Sequence, residues 1–362
     1  MRNILYYAAD NRNSFEKSPF NDVDALILSW ISYFVYPACV HGDFGVKAGD
    51  LTAKRLLTAK EMYAEAFNPK KSKKLFSFLQ INPRFQKVRL SRYVEKKKTD
   101  ERFAAFCIRL SADVYFLSFR GTDPSFVAWE EDFCLSLPFD IPSQKSAFEY
   151  ALAFAEKYPR AKFYLGGHSK GGNLAVYAAG ELPEKIKKRI IAVYSFDGPG
   201  FSSDIYQRPS YAAVADKIIK IVPRSSFVGM LFETREPLKA DSGGISFWQH
   251  DPFLWRVENE TFRFVSARTK SSVRLSYAVN RWILSMSDED KKAFIFIVFR
   301  ALHTLKIENF DDFFRALPRY AVALFSQYKQ LAPQEKNFFS AALKKLICIL
   351  KEKCPENNRN TL

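Results

Sequence analysis

The sequence predicts an α/β fold, a mainly parallel sheet flanked by helices and followed by a C-terminal helical extension. Three observations carry that prediction. Between residues 103 and 222, short apolar runs alternate with helix-period segments, the pattern of right-handed crossovers feeding a parallel sheet. Within this stretch an apolar run at 162–165 passes through small residues directly into a helix-forming run at 173–180. Beyond about residue 270 the strand-like runs stop, and four successive helical patterns fill the chain.

Taken in order, residues 1–20 are polar and read as irregular. Val23, Leu26, Ile27, Trp30, Ile31 and Phe34 recur at helical spacing, predicting an amphipathic helix over 23–36 with Asn21 or Asp22 as its cap. A second helix is expected over 51–67, ended by Asn68-Pro69, and a short one over 73–80. Loose alternation at Val88, Leu90 and Tyr93 and the apolar run 103–110 predict a strand pair, with the charged stretch 95–101 as its tip. Residues 114–119 read as a buried strand and 143–158 as a helix. The runs at 162–165, 190–196 and 217–222 read as further strands. Short extended stretches are expected at 229–234 and 245–249, and again at 255–257 and 261–265. The tail reads as helices over 273–284, 290–305, 311–328 and 333–350, with a capping-like Ser287-Asp288-Glu289-Asp290 and a frayed last dozen residues. A length of 362 residues fits one α/β domain, 1–268, with a helical region, 269–362, packed on or beside it.

Composition narrows the classes of function. A hydrophobic content of 48% suits a large core, and 35 phenylalanines with 17 tyrosines point to bulky packing or aromatic-lined pockets. The five cysteines (Cys39, Cys107, Cys134, Cys348 and Cys354) are scattered without metal spacing and read as reduced thiols of a cytoplasmic protein. No signal pattern opens the chain, and the apolar stretch 25–40 is broken by Ser29, Ser32 and Pro37 before it could span a bilayer. The net charge of +16 suits anionic partners. Yet the basic residues are spread out, and the small clusters at 70–74 and 96–98 read as solvated loop or hairpin tips. Nucleic acid is therefore not the expected partner, while peripheral contact with an anionic membrane is compatible with the charge. No internal repeat, metal or organic cofactor is implied.

The chemistry centres on Gly167-His168-Ser169-Lys170-Gly171. A G-x-S-x-G pattern between a strand and a helix is the nucleophile elbow of an α/β-hydrolase-type fold. So sharp a turn leaves no room for a Cβ two residues before or after the serine, and Gly167 and Gly171 meet that need. A serine hydroxyl needs a histidine to take its proton, and the histidine needs a carboxylate to fix its tautomer. Of the four histidines, His168 lies inside the elbow and reads as a packing or hydrogen-bonding residue, His41 precedes the sheet, and His303 lies in the tail. His250 follows the strands, as the order serine, acid, histidine requires. Asp197 ends the strand after the elbow, 28 residues beyond Ser169, and is the favoured acid; Asp241 and Asp251 are contenders, and Asp216 sits at the wrong edge. The expected oxyanion donors are the Lys170 N–H and Thr122, the latter in the loop that follows the strand 114–119.

Phe119-Arg120-Gly121-Thr122 with Trp129 and Asp132, followed by Gly167-His168-Ser169-Lys170-Gly171-Gly172, resembles the class 3 (fungal-type) lipases. Gly-His-Ser-Lys-Gly-Gly-Asn-Leu-Ala, Phe-Asp-Gly-Pro-Gly-Phe (196–201), Val-Pro-Arg-Ser-Ser-Phe-Val-Gly-Met-Leu (222–231) and Gln-His-Asp-Pro-Phe-Leu-Trp (249–255) are similar to a bacterial lipase-related family of unknown function. The resemblance spans roughly residues 20–265. It implies a serine hydrolase cleaving a carboxylic ester, a lipid or thioester among the candidates, through Ser169, His250 and an acid. Two departures stand out. Class 3 lipases carry the acid just before a Val-Pro pair, where this chain has Lys220-Ile221-Val222-Pro223; either Asp197 replaces it or the triad is incomplete. Lys170 also stands where lipases have an apolar residue, and its charge is expected to favour anionic substrates or alter the entrance. The alternative reading is a catalytically silent binding or scaffold protein on a hydrolase fold.

Overall fold

The computed structural model describes residues 2–51, 58–123, 125–304 and 317–352. Eight strands form one sheet in sequential order: β1 (Val46–Lys47), β2 (Arg89–Lys97), β3 (Arg102–Arg109), β4 (Val114–Phe119), β5 (Lys162–His168), β6 (Ile190–Phe196), β7 (Ile218–Pro223) and β8 (Leu238–Ala240). The pairings from β1 to β4 are antiparallel, and those from β4 to β8 are parallel. This is the α/β-hydrolase-type sheet expected, and helices follow it.

Sequential parallel order has a consequence for layering. Right-handed crossovers that always step the same way place their helices on one face. Phe103, Ala105 and Cys107 of β3, Leu117 of β4 and Leu165 of β5 accordingly pack on the helices Pro142–Lys157 and Lys170–Glu181. Ala104, Phe106 and Ile108 alternate to the opposite face, which the crossovers leave bare. The N-terminal segment covers it, through the helix Asp22–Trp30 and the helix Pro69–Ile81.

That duty explains several differences from the sequence reading. The helix Asp22–Trp30 is buried on every side from Val23 on rather than amphipathic, because it is sandwiched beneath other N-terminal elements. Asn21 caps it in a reciprocal box with Asp24, and a 3-10 turn, Ile31–Tyr33, carries it on to Phe34, where the backbone turns extended before the expected end at 36. Asn68-Pro69 begins a helix rather than ending one: Asn68 accepts from the Lys71 N–H, and Pro69 takes the first turn, where its missing N–H costs nothing. The basic cluster 70–74 thus lies on a helix, not a loop tip. Residues 52–57 of the expected 51–67 helix lie outside the described residues, and a short helix, Ala59–Met62, follows them. Residues 2–20, expected to be irregular, hold a helix and a segment tied down by Arg84. The helix Ile4–Asp10 is capped by Asn3, and the Arg84 guanidinium binds the carbonyls of Asn13, Ser18 and Pro19. Arg84 is itself paired with fully buried Asp24 at 2.5 Å.

The expected extended stretches at 229–234 and 245–249 instead contain 3-10 turns, Val228–Met230 and Ser246–His250. Both stretches form loops beyond the sheet's carboxyl edge instead of pairing with it. The tail forms helices Lys270–Leu284, Asp288–Thr304, Leu317–Gln330 and Pro333–Lys351; the expected segment at 311–316 and the last ten residues lie outside the described residues. Asn280 ties the first of these helices to the sheet-edge loops, accepting from the Phe232 N–H and donating to the Met230 carbonyl. Among the described residues no helix is long and apolar enough to cross a membrane.

Candidate active site

The elbow is built as the steric argument requires. Ser169 adopts φ 57° and ψ −134°, a conformation L-residues avoid, between β5 and the helix Lys170–Glu181. A Cβ on Gly167 would lie 2.2 Å from the Gly171 carbonyl carbon, and one on Gly171 would lie 2.2 Å from the Phe119 oxygen. The turn therefore excludes any larger residue at both places. Ser169 is 5% exposed and lines a cavity of about 200 Å³ at the carboxyl edge of the sheet.

His250 and Thr122 line the same cavity. His250 Nδ1 lies 2.7 Å from Asp197 Oδ2, so with the proton on Nδ1 the ring's Nε2 carries the lone pair. Asp197 follows β6 with φ 48°, buried, and its other oxygen is fixed by two donors: the Ser226 hydroxyl at 2.5 Å and the Gly229 N–H at 3.1 Å. A Cβ on Gly229 would sit 2.3 Å from Oδ1, so only glycine lets this N–H approach. The segment after Val222-Pro223 supplies both of these donors, whereas the place before that pair, where the resemblance puts the acid, holds Lys220.

The other candidates are occupied elsewhere. Asp241 pairs with Arg224, Arg256 and Arg263; Asp251 caps the Phe253 N–H and meets Lys71 at 3.4 Å. Asp216 lies in the turn Ala215–Lys217 before β7, at the far edge of the sheet. His41 faces the Tyr36 carbonyl, and His303 sits beside Glu130 at the surface.

Two features go further than the sequence reading, and the first is His168, which packs and hydrogen-bonds as expected but with partners the sequence does not name. His168 is buried with Nε2 2.9 Å from the His250 carbonyl and Nδ1 3.1 Å from the Tyr33 hydroxyl. Burial, and then the adjacent His250 ring, hold its pKa well below the ordinary 6.5, so the ring is neutral; Nε2–H donates to the carbonyl and Nδ1 accepts from Tyr33. The elbow thereby grips the backbone of the loop that carries His250. A folded pKa below the unfolded one gives stability that is present above about pH 6.5 and lost on acidification. Asp132 acts with the opposite sign. Burial outweighs Lys170 and raises its carboxyl to about 6, so its contribution is present at low pH and lost as pH rises through that value. His168→Gln should therefore destabilise the protein at neutral pH, and its Tm deficit should shrink as pH falls below about 6.5, read by thermal melts across pH.

The second concerns Lys170. Its ammonium does not reach the entrance as expected; it is fully buried, 2.7 Å from Glu131 and 3.8 Å from Asp132. Burial alone would lower its pKa, but Glu131 and Asp132 outweigh that and raise it, so the charge is retained. Both acids belong to the helix Phe126–Cys134, and Asp132 accepts a hydrogen bond from the Thr122 hydroxyl. The residue after the elbow serine and the loop of Thr122 are thus tied together beneath the cavity. No local sequence signal pairs Lys170 with an acid 39 residues earlier.

The remaining lining is mostly apolar, with Asp132, Ser136 and Lys291 as its polar members. Phe67, Phe227, Leu231 and Phe232 come from loops beside the sheet, and Trp282, Ile283, Met286, Phe294 and Ile295 come from the tail helices. The aromatic-rich composition thus appears both in the core and at this wall. The tail also packs on the helix Phe126–Cys134, with Ile295, Phe299 and Leu302 against Phe126 and Leu137.

Comparison with solved structures finds lipases at low identity. Lipase II from Rhizopus niveus is 15% identical over 41% of this chain and 64% of its own, with a TM-score of 0.31. The lipase from Rhizopus microsporus var. chinensis is 15% identical over 55% and 72%, with a TM-score of 0.34. The M37 lipase is 18% identical over 59% and 71%, with a TM-score of 0.38. The chain thus spans less than two thirds of the R. niveus enzyme's length. No curated protein matches the sequence. The family model described as Mbeg1-like matches residues 79–300, a stretch holding Thr122, Ser169, Asp197 and His250, and the chain belongs to the Mbeg1-like family.

Proposed function

We propose that this protein is a serine hydrolase of esterase type, cleaving carboxylic esters with apolar acyl chains through an acyl-enzyme. In this reading Ser169 attacks the ester carbonyl, and His250 Nε2 takes the serine proton and returns it to the leaving alcohol. Asp197 holds the ring's tautomer, and the N–H groups of Thr122 and Lys170 receive the oxyanion. A second cycle with water releases the acid. The observation that carries the proposal is a single cavity that joins Ser169, the Asp197-paired His250 and Thr122 to an otherwise mostly aromatic and aliphatic wall. Such a wall suits an acyl chain, which gains by leaving water, and offers little to a polar acyl group.

The test is turnover on p-nitrophenyl esters of increasing acyl length. Catalytic efficiency should rise with chain length until the wall is filled, and Ser169→Ala should abolish turnover at every length. Wild-type protein that turns over none of the series while folding normally would favour the silent scaffold. The division at 268/269 is also proposed in functional terms: the tail helices form the acyl wall of a site whose reacting groups lie in the sheet domain. Met286→Trp should then shorten the preferred chain with Ser169 still reactive.

A further inference from the structure

We propose that the loop carrying His250, together with the lysine face beside it, docks the protein on an anionic lipid bilayer. The loop is pinched at its base, where Ser242 bridges Trp255 and the Gly243 N–H donates to the Leu254 carbonyl at 2.8 Å. Gln249 braces it from within, accepting from the Ser225 N–H and the Ser242 hydroxyl and donating to the Gly244 carbonyl. On this braced frame Ile245 is 76% exposed and Trp248 is 71% exposed. A rigid loop that holds a tryptophan and an isoleucine out in water suits an environment that is itself apolar. Tryptophan suits the headgroup level of a bilayer in particular.

Charge identifies the occupant. Asp251, three residues past Trp248, bonds Asn68 and Lys71 at the start of the helix Pro69–Ile81. Lys70, Lys73 and Lys74 are exposed on that helix. On the loop's other flank, Arg224, Arg256 and Arg263 gather around Asp241, each with 41–48% of its side chain exposed. Each flank carries more cations than its acid neutralises, in a chain of net charge +16. Apolar side chains between basic flanks match a bilayer with anionic headgroups. An isoleucine has no ring to stack on bases, which argues against a single-stranded nucleic acid. The patch also adjoins the cavity: Phe67 lines it three residues before Lys70, and His250 lines it two residues after Trp248. Docking would thus bring the cavity to the lipid. That use rests on the hydrolase reading, whereas the docking itself does not.

The experiment uses the full chain carrying Ser169→Ala, so no lipid is consumed. It should co-sediment with phosphatidylcholine–phosphatidylglycerol vesicles at low salt, with far less on phosphatidylcholine alone, and high salt should release it. Lys70→Gln with Lys73→Gln and Lys74→Gln should weaken binding about a hundredfold, about fivefold for each lysine removed. Ile245→Ser with Trp248→Ser should also weaken it. Trp248→Phe should keep binding but lose the blue shift of tryptophan emission seen on vesicles. Binding unchanged by the three glutamines, equal binding to neutral vesicles, or displacement from vesicles by single-stranded RNA would overturn the proposal. Vesicle binding by a protein whose wild type hydrolyses no ester would leave the docking surface standing and remove only the hydrolase reading. Hydrolysis of soluble esters without vesicle binding would do the reverse.

Discussion

Asp197→Asn should lower kcat about ten-thousand-fold on any ester the protein hydrolyses, with KM and melting temperature little changed. The size of the effect follows from where the carboxylate's bonds lie. Both fixed donors, the Ser226 hydroxyl and the Gly229 N–H, meet Oδ1, and His250 meets Oδ2. An asparagine in this place must aim its carbonyl oxygen at the two donors, which turns its NH2 toward His250. The imidazole must then accept at Nδ1 and carry its proton on Nε2, the tautomer that cannot deprotonate serine. Steady-state kinetics on the preferred ester, with a thermal melt as the control for folding, measures this. Turnover close to wild type would remove Asp197 from the mechanism.

Lys170→Ala should cost about 3–5 kcal/mol of folding stability, the usual penalty for stripping one partner from a buried ion pair. Glu131 would remain buried without its countercharge, keeping the Ser143 N–H at 2.8 Å. Asp132 would lose the cation that opposes its own burial. Denaturant unfolding should show the loss as a lower midpoint at an unchanged slope. Lys170→Met combined with Glu131→Gln should recover much of it, because the uncompensated charge is gone and the volume is kept. Recovery in the double variant separates loss of charge pairing from loss of packing. If the single variant were as stable as wild type, the tie between the elbow and the Thr122 loop would be energetically empty.

The parts of the fold legible in the sequence are those fixed by local rules. β4, β6 and the elbow were readable because buried strands show as unbroken apolar runs, and a left-handed serine demands glycines at fixed offsets. The order of serine, acid and histidine along the chain likewise pointed to Asp197 and His250. Position 69 shows where local rules divide, since Asn-Pro both closes and opens helices; only the packing of Leu75, Phe76 and Leu79 settles that it opens one. Ile245 and Trp248 read as part of an extended stretch because apolar residues look alike in a pleat and on a braced loop. β8, three residues long, is too short for any periodicity to register. Lys170 and His168 were misjudged or underread for a different reason. A side chain's direction depends on partners distant in sequence, Glu131 for one and the His250 backbone for the other. The tail's share of the cavity wall was hidden in the same way, because a helical stripe shows that a face is covered and not by what.

The proposed chemistry depends first on Ser169 as a nucleophile. A fluorophosphonate probe followed by peptide mass analysis tests this directly, because it reports the activated hydroxyl without knowledge of the substrate. One adduct is expected, on the peptide containing Ser169, absent in Ser169→Ala and strongly slowed in His250→Ala. A folded wild-type protein that takes no adduct, or one that is labelled as fast without His250, would contradict it.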